Sequence, residues 1–141
     1  MYSLILLKFG VGFVNAKVLP MSKNKIQFQI GLSLIEFNER YLSHRRGQRP
    51  VLPPTILTES VAQVGACLIL AKPENRERLI YFMGIDRVRY RHPVYPGDAV
   101  RVEASVVKLR GRVGWLQGVG RVNGRVVIEG RMTFALGPRP T

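Results

Sequence analysis

PVLPPTILTESVAQVGACLILAK, running from Pro50 to Lys72, is the stretch on which the rest of the chain depends. It reads as one long helix over 53–72 carrying a single carboxylate, Glu59. Pro54 suits the first helical turn, where the N–H it lacks would have no intrahelical partner. Ile56, Leu57, Val61, Val64, Leu68 and Ile69 form one apolar stripe, while Glu59, Ala62, Gln63 and Ala66 form another. The second stripe sets only small side chains beside the acid and the amide, so another group can approach closely. After Gly65 the run ACLILA is apolar all round, which marks a helix enclosed by protein, and Pro73 ends it. A lone acid on an enclosed helix must be paired, exposed or used.

Outward from the helix the pattern is strand and turn. Before it, a β-prone run from Phe13 to Leu19 stops at Pro20, and Ile26, Phe28, Ile30 and Leu32 alternate with Gln27, Gln29 and Gly31. A long basic loop, EFNERYLSHRRGQRPVLPP, then leads to the helix with His44 in its middle, and long ordered loops are often functional. After the helix, Leu79–Met83 and Arg87–Arg91 form a strand with a bend at Gly84-Ile85-Asp86. Val100, Val102, Ala104 and Val106 alternate with polar partners, and Trp115–Val122 reaches Asn123-Gly124, a strong hairpin signal. A last strand runs to Leu136. The order is two strands, a helix and four antiparallel strands, an α+β domain in which one sheet wraps the helix.

Composition narrows the function. The 141 residues suit one domain over 1–141, with 1–50 holding the first strands and loop and 79–136 the four-stranded portion of the sheet. One cysteine, Cys67, and two histidines, His44 and His92, are too few for a Cys/His zinc site, so no metal and no cofactor are expected. The single cysteine also fits a reducing, cytoplasmic setting. The apolar N-terminus is interrupted by Lys8 and is too short to span a membrane; Met21 offers a second start. The net charge of +13 is spread along the chain with no nucleic-acid-binding motif, which places solvated faces first, an acidic protein partner second and nucleic acid third.

The segment Tyr81–Asp98, YFMGIDRVRYRHPVYPGD, resembles the signature of the β-hydroxyacyl-acyl carrier protein dehydratases of type II fatty acid synthesis. Gly84-Ile85-Asp86 and Pro93-Val94-Tyr95-Pro96-Gly97-Asp98 fill the signature's places, and Glu59, Ala62 and Gln63 match its Glu-x-x-Ala-Gln helix. The resemblance spans Pro50 to Leu136 and is loose before that. It implies the hot-dog fold, six antiparallel strands round a central helix, and a homodimer that can assemble into a trimer of dimers. It also implies a substrate held as a thioester on acyl carrier protein, dehydrated by a loop histidine of one subunit and the helix glutamate of the other.

The chemistry asks for particular groups. Removing the C2 proton needs a base titrating near neutrality, and histidine is the natural choice. The 3-hydroxyl needs a proton, which a carboxyl desolvated on an apolar helix is well placed to hold. The resemblance assigns these roles to His44 and Glu59, with Ala62, Gln63 and Ala66 lining the substrate. His44 precedes Glu59 by fifteen residues, one more than the family spacing, which a single loop insertion near Gln48 accounts for. Where the family has Pro-Gly at the helix start, this chain has Pro53-Pro54, so the N–H that would hold the thioester carbonyl is missing there and Thr55 is the next donor. Arg87, Arg89, Arg91, Lys108 and Arg110 are candidates for docking the acidic carrier protein. The departures at Arg45-Arg46 and Pro53-Pro54 keep open a non-catalytic protein that binds acyl thioesters or supports an active paralogue, and the fold keeps open a thioesterase.

Overall fold

The computed structural model describes residues 7–9, 12–22, 25–31 and 46–138. At its centre is α1, Pro54–Leu70, inside the expected span. Strands β1 (Leu7–Phe9), β2 (Gly12–Ser22) and β3 (Lys25–Gly31) precede it. Strands β4 (Ile80–Tyr90), β5 (Ala99–Arg110), β6 (Val113–Val122) and β7 (Arg125–Leu136) follow a 3-10 turn at Pro73–Asn75. Among the described residues they form one antiparallel sheet in the order β1-β2-β3-β5-β6-β7-β4. The sheet exceeds the expected six strands by one, the three-residue β1.

Local chemistry explains most of the joints. Asn123 and Gly124, at φ 49° and 80°, make the two-residue turn between β6 and β7, closed by the Val122–Arg125 pair. Two successive positive φ values are what a type I′ hairpin turn requires. The strand expected to stop at Pro20 instead continues to Ser22, with a register shift between Pro20 and Ser22. Proline cannot donate to the ladder, and an irregularity is where a sheet tolerates it. The bend expected at residues 84–86 lies within one continuous strand, β4, which carries irregularities between Phe82 and Gly84 and between Asp86 and Arg89.

The helix packs mainly on β5, with β6 and β3 next. From its stripe, Leu57, Val61, Val64 and Ile69 join Val100, Val102, Ala104, Leu116, Met132 and Phe134 in one core, and Leu68 is buried as well. Two glycines let the layers meet. A Cβ on Gly118 of β6 would stand 2.1 Å from Val61 Cγ1, and one on Gly65 of the helix would stand 2.5 Å from Leu116 Cδ2. Each layer therefore supplies a hole for a branched side chain of the other. No described helix is long and apolar enough to cross a membrane.

Candidate active site

The entry to the helix is held by the segment 92–98. Leu52 N–H donates to the Val94 carbonyl at 2.8 Å, and the Arg49 guanidinium lies 4.0 Å from the centre of the Tyr95 ring. Val94 is fully buried. Tyr95 to Asp98 is a turn in which Asp98 N–H donates to the Tyr95 carbonyl at 3.0 Å and Asp98 Oδ2 accepts from Tyr95 N–H at 2.9 Å. Gly97, at φ 93°, occupies the third position of that turn after Pro96, the pairing a type II turn demands. The Pro-Gly-Asp signature thus builds the support under the helix start.

On α1 the structure brings Thr55, Glu59, Ala62, Gln63 and Ala66 onto one element, while His44 lies outside the described residues. Gln63 Nε2 donates to Glu59 Oε1 at 2.6 Å, so the acid and amide of the second stripe form a unit. Ala62 is buried and Gln63 and Ala66 half-buried, but Glu59 and Thr55 are exposed. The desolvation expected for Glu59 is therefore not supplied by its own chain. The helix is enclosed on its apolar stripe, and the stripe that bears the acid is exposed at Glu59 and half-buried at Gln63 and Ala66. Thr55 follows two prolines, and the first hydrogen bond of the helix is from Ile56 N–H to the Pro53 carbonyl at 3.0 Å.

A cavity of about 230 Å³ lies at the other end of the helix, lined by Leu68, Ile69, Val106, Leu109 and Phe134, with Lys72 and Lys108 in its wall. Leu68 is roughly 14 Å from Glu59 along the helix axis at 1.5 Å per residue. The helix end and its strands thus form a mainly apolar recess with lysines in its wall.

The basic candidates fall in two places. Lys108 and Arg110 stand at the end of β5, whereas Arg87, Arg89 and Arg91 lie on or just beyond β4. Arg87 is left-handed, φ 51°, inside the β4 irregularity, and with Arg89 it shares a concavity with Gln117, Glu129 and Arg131. Arg91 is already engaged, donating from Nε to Glu129 Oε1 at 3.0 Å and again from Nη2. That hydrogen bond holds the Glu129 carboxyl below its usual range; burial opposes it, and the charges of Arg91, Arg89 and Arg121 add to it. Arg131 was invisible as a site neighbour in the sequence, because only the pairing of Asp86 with Arg131 across β4 and β7 brings it beside Arg87.

The FabA-like domain family matches residues 14–131, most of the chain and every element from β2 to the middle of β7. The chain belongs to that family. FabA-like relatives include the 3-hydroxyacyl-[acyl-carrier-protein] dehydratase FabZ of Roseiflexus sp. (strain RS-1), 43% identical over 110 residues that cover 78% of this chain and 77% of the relative. The FabZ of Bacillus subtilis (strain 168) is 42% identical over 107 residues, 76% of each. Among solved structures, the dehydratase heterocomplex ApeI:P from Xenorhabdus doucetiae superposes with a TM-score of 0.70 at 19% identity, covering 91% of this chain and 82% of that one. Thioesterase HI1161 from Haemophilus influenzae gives 0.64 at 15% identity, with 87% and 78% covered. These superpositions establish the hot-dog fold.

Proposed function

We propose that this protein removes water from 3-hydroxyacyl thioesters carried on acyl carrier protein, leaving trans-2-enoyl thioesters. The observation that carries the reading is the Glu59–Gln63 unit, hydrogen-bonded on the second stripe of the central helix in a FabA-like chain whose relatives are named as such dehydratases. Gln63 donates to Oε1, which leaves Glu59 Oε2 to carry a proton to the 3-hydroxyl. His44 takes the C2 proton, the C3–O bond breaks, the double bond forms between C2 and C3, and water leaves. The proton on His44 then returns to Glu59 through solvent. Thr55 N–H serves the charge that builds on the thioester oxygen, with Ala62 and Ala66 leaving room for the substrate beside the acid.

The working unit is a homodimer formed through β4. That strand ends the sheet, so one side of its backbone has no neighbouring strand among the described residues. It also exposes large apolar side chains, with Tyr81 at 53%, Met83 at 62% and Ile85 at 58%. Exposed apolar edges of this kind invite pairing with another strand. Antiparallel pairing of two β4 strands places the Ile80 end of one copy beside the Tyr90 end of the other. A second copy also supplies the apolar cover that an exposed Glu59 lacks. Carrier-protein docking draws on Arg87, Arg89 and Arg91 at one place and Lys108 and Arg110 at the other, and association should weaken with salt.

One observation favours a second reading. Pro54 offers no N–H at the helix start, and loss of one oxyanion donor costs on the order of a hundredfold in rate. A protein that binds acyl thioesters without turning them over fits that feature. The test incubates the protein with 3-hydroxyacyl carrier protein of several chain lengths and follows the products by mass. Loss of 18 Da from the acyl chain (the mass of water, roughly), abolished by Glu59→Gln and by His44→Ala, is the expected result. Release of free carrier thiol would indicate hydrolysis instead. Tight binding with no turnover at any chain length would leave the second reading standing.

A further inference from the structure

The start of α1 is short of the usual supports. Pro53 occupies the N-cap position without a capping side chain, and no acidic residue stands in the first turn. The tie to the sheet comes instead from Tyr90, the last residue of β4, whose hydroxyl lies 2.5 Å from Thr58 Oγ1 across 32 residues of sequence. Thr58 in turn donates its own proton to the Pro54 carbonyl at 3.3 Å. A threonine hydroxyl has one proton, so with that proton on Pro54 the donor in the closer contact is Tyr90. In the arrangement that satisfies both contacts, the donation runs from Tyr90 to Thr58 to the Pro54 carbonyl.

That carbonyl belongs to the same peptide group as the Thr55 N–H. Hydrogen bonds in series polarise one another, and an amide whose oxygen accepts more strongly becomes a stronger donor at nitrogen. Thr55 is also the first residue of the helix with an N–H to give, because Pro54 has none. Thr58, meanwhile, immediately precedes Glu59. The hydrogen-bonded chain therefore ends on the peptide group that carries the Thr55 N–H and passes through the residue next to Glu59.

We propose that Tyr90 is a positioning residue: acting through Thr58, it fixes the first turns of α1 and strengthens the Thr55 N–H as the donor to the thioester oxygen. This deepens the dehydratase reading and rests on it. It accounts for how a helix that begins with two prolines keeps a working donor. Tyr90 is exposed and Thr58 half-buried, so water reaches the pair and replaces much of the bond when it is lost, and a purely structural role would leave turnover unchanged.

The test compares Tyr90→Phe, Thr58→Val and Thr58→Ser in the full chain. With 3-hydroxyacyl carrier protein as substrate, Tyr90→Phe and Thr58→Val should each lower kcat roughly fivefold or more with KM unchanged, the loss of one hydrogen bond. Thr58→Ser keeps the hydroxyl and should recover what Thr58→Val loses. The double variant should be no slower than either single one, because both break one chain. A second measurement needs no turnover. The Thr55 amide proton, read by NMR without ligand, should move upfield in Tyr90→Phe and Thr58→Val and return in Thr58→Ser. An unmoved Thr55 amide overturns the proposal, as does a lower melting temperature with unchanged kcat. If the wild type itself fails to turn over, the dehydratase reading falls, while the Thr55 amide still decides whether the chain of donation exists.

Discussion

At the scale of single residues, the carboxylates of Glu59 and Glu129 stand in different surroundings. Glu59 is exposed, so Glu59→Gln should move the melting temperature little while lowering dehydration by about a hundredfold or more, measured as enoyl product formed per active site. Glu129 is the opposite case, with a carboxyl held low chiefly by the hydrogen bond from Arg91. A depressed carboxylate contributes stability above its unfolded value, near 4.5, and that contribution is lost as pH falls through the folded value. The difference in melting temperature between wild type and Glu129→Gln should therefore be largest above that pH and shrink in more acidic solution. A difference that grew on acidification would contradict the assignment. Burial pushes the Cys67 thiol above its ordinary value, so it should resist alkylation at neutral pH until the protein is unfolded.

At the scale of elements, the helix was legible because its evidence is local. Pro54, the apolar stripe and Pro73 lie within one stretch, and each acts through backbone geometry or periodicity. Asn123-Gly124 was legible for the same reason. The irregularities of β4 were legible only as a bend at 84–86, and pairing with β7 puts them between Phe82 and Gly84 and between Asp86 and Arg89. The helix-facing glycines were not legible, because their purpose depends on what stands opposite. Gly118→Val should destabilise the fold by about 1–3 kcal/mol or more, because Val61 already fills the space. Gly124→Val should also cost stability, there through its positive φ, with nothing within 4 Å to clash. Denaturant titration of both variants measures these costs.

At the scale of the whole molecule, the proposed homodimer makes its own predictions. The exposed Glu59 of α1 and the apolar edge of β4 are both features that a second copy would cover. Ile85→Lys should shift the protein from dimer to monomer in sedimentation and remove activity with it. If each site takes its histidine from one subunit and its glutamate from the other, co-expressed His44→Ala and Glu59→Gln chains should recover about a quarter of wild-type activity, since half the dimers are mixed and each of these has one intact site. No recovery would place both groups on one chain.

The sequence by itself determined the order of the elements, the apolar helix with its single acid, and the signature that resembles the dehydratase family. These follow from neighbours in the chain, where periodicity, proline and glycine act directly. Only the tertiary structure decided that Glu59 is open to solvent and joined to Gln63, that Arg91 is held by Glu129, and that Tyr90 reaches Thr58. Each of the last two is a contact across the sheet or between sheet and helix, set by strand register and layer packing. A change of register by one residue turns a side chain to the other face, and no local pattern encodes it.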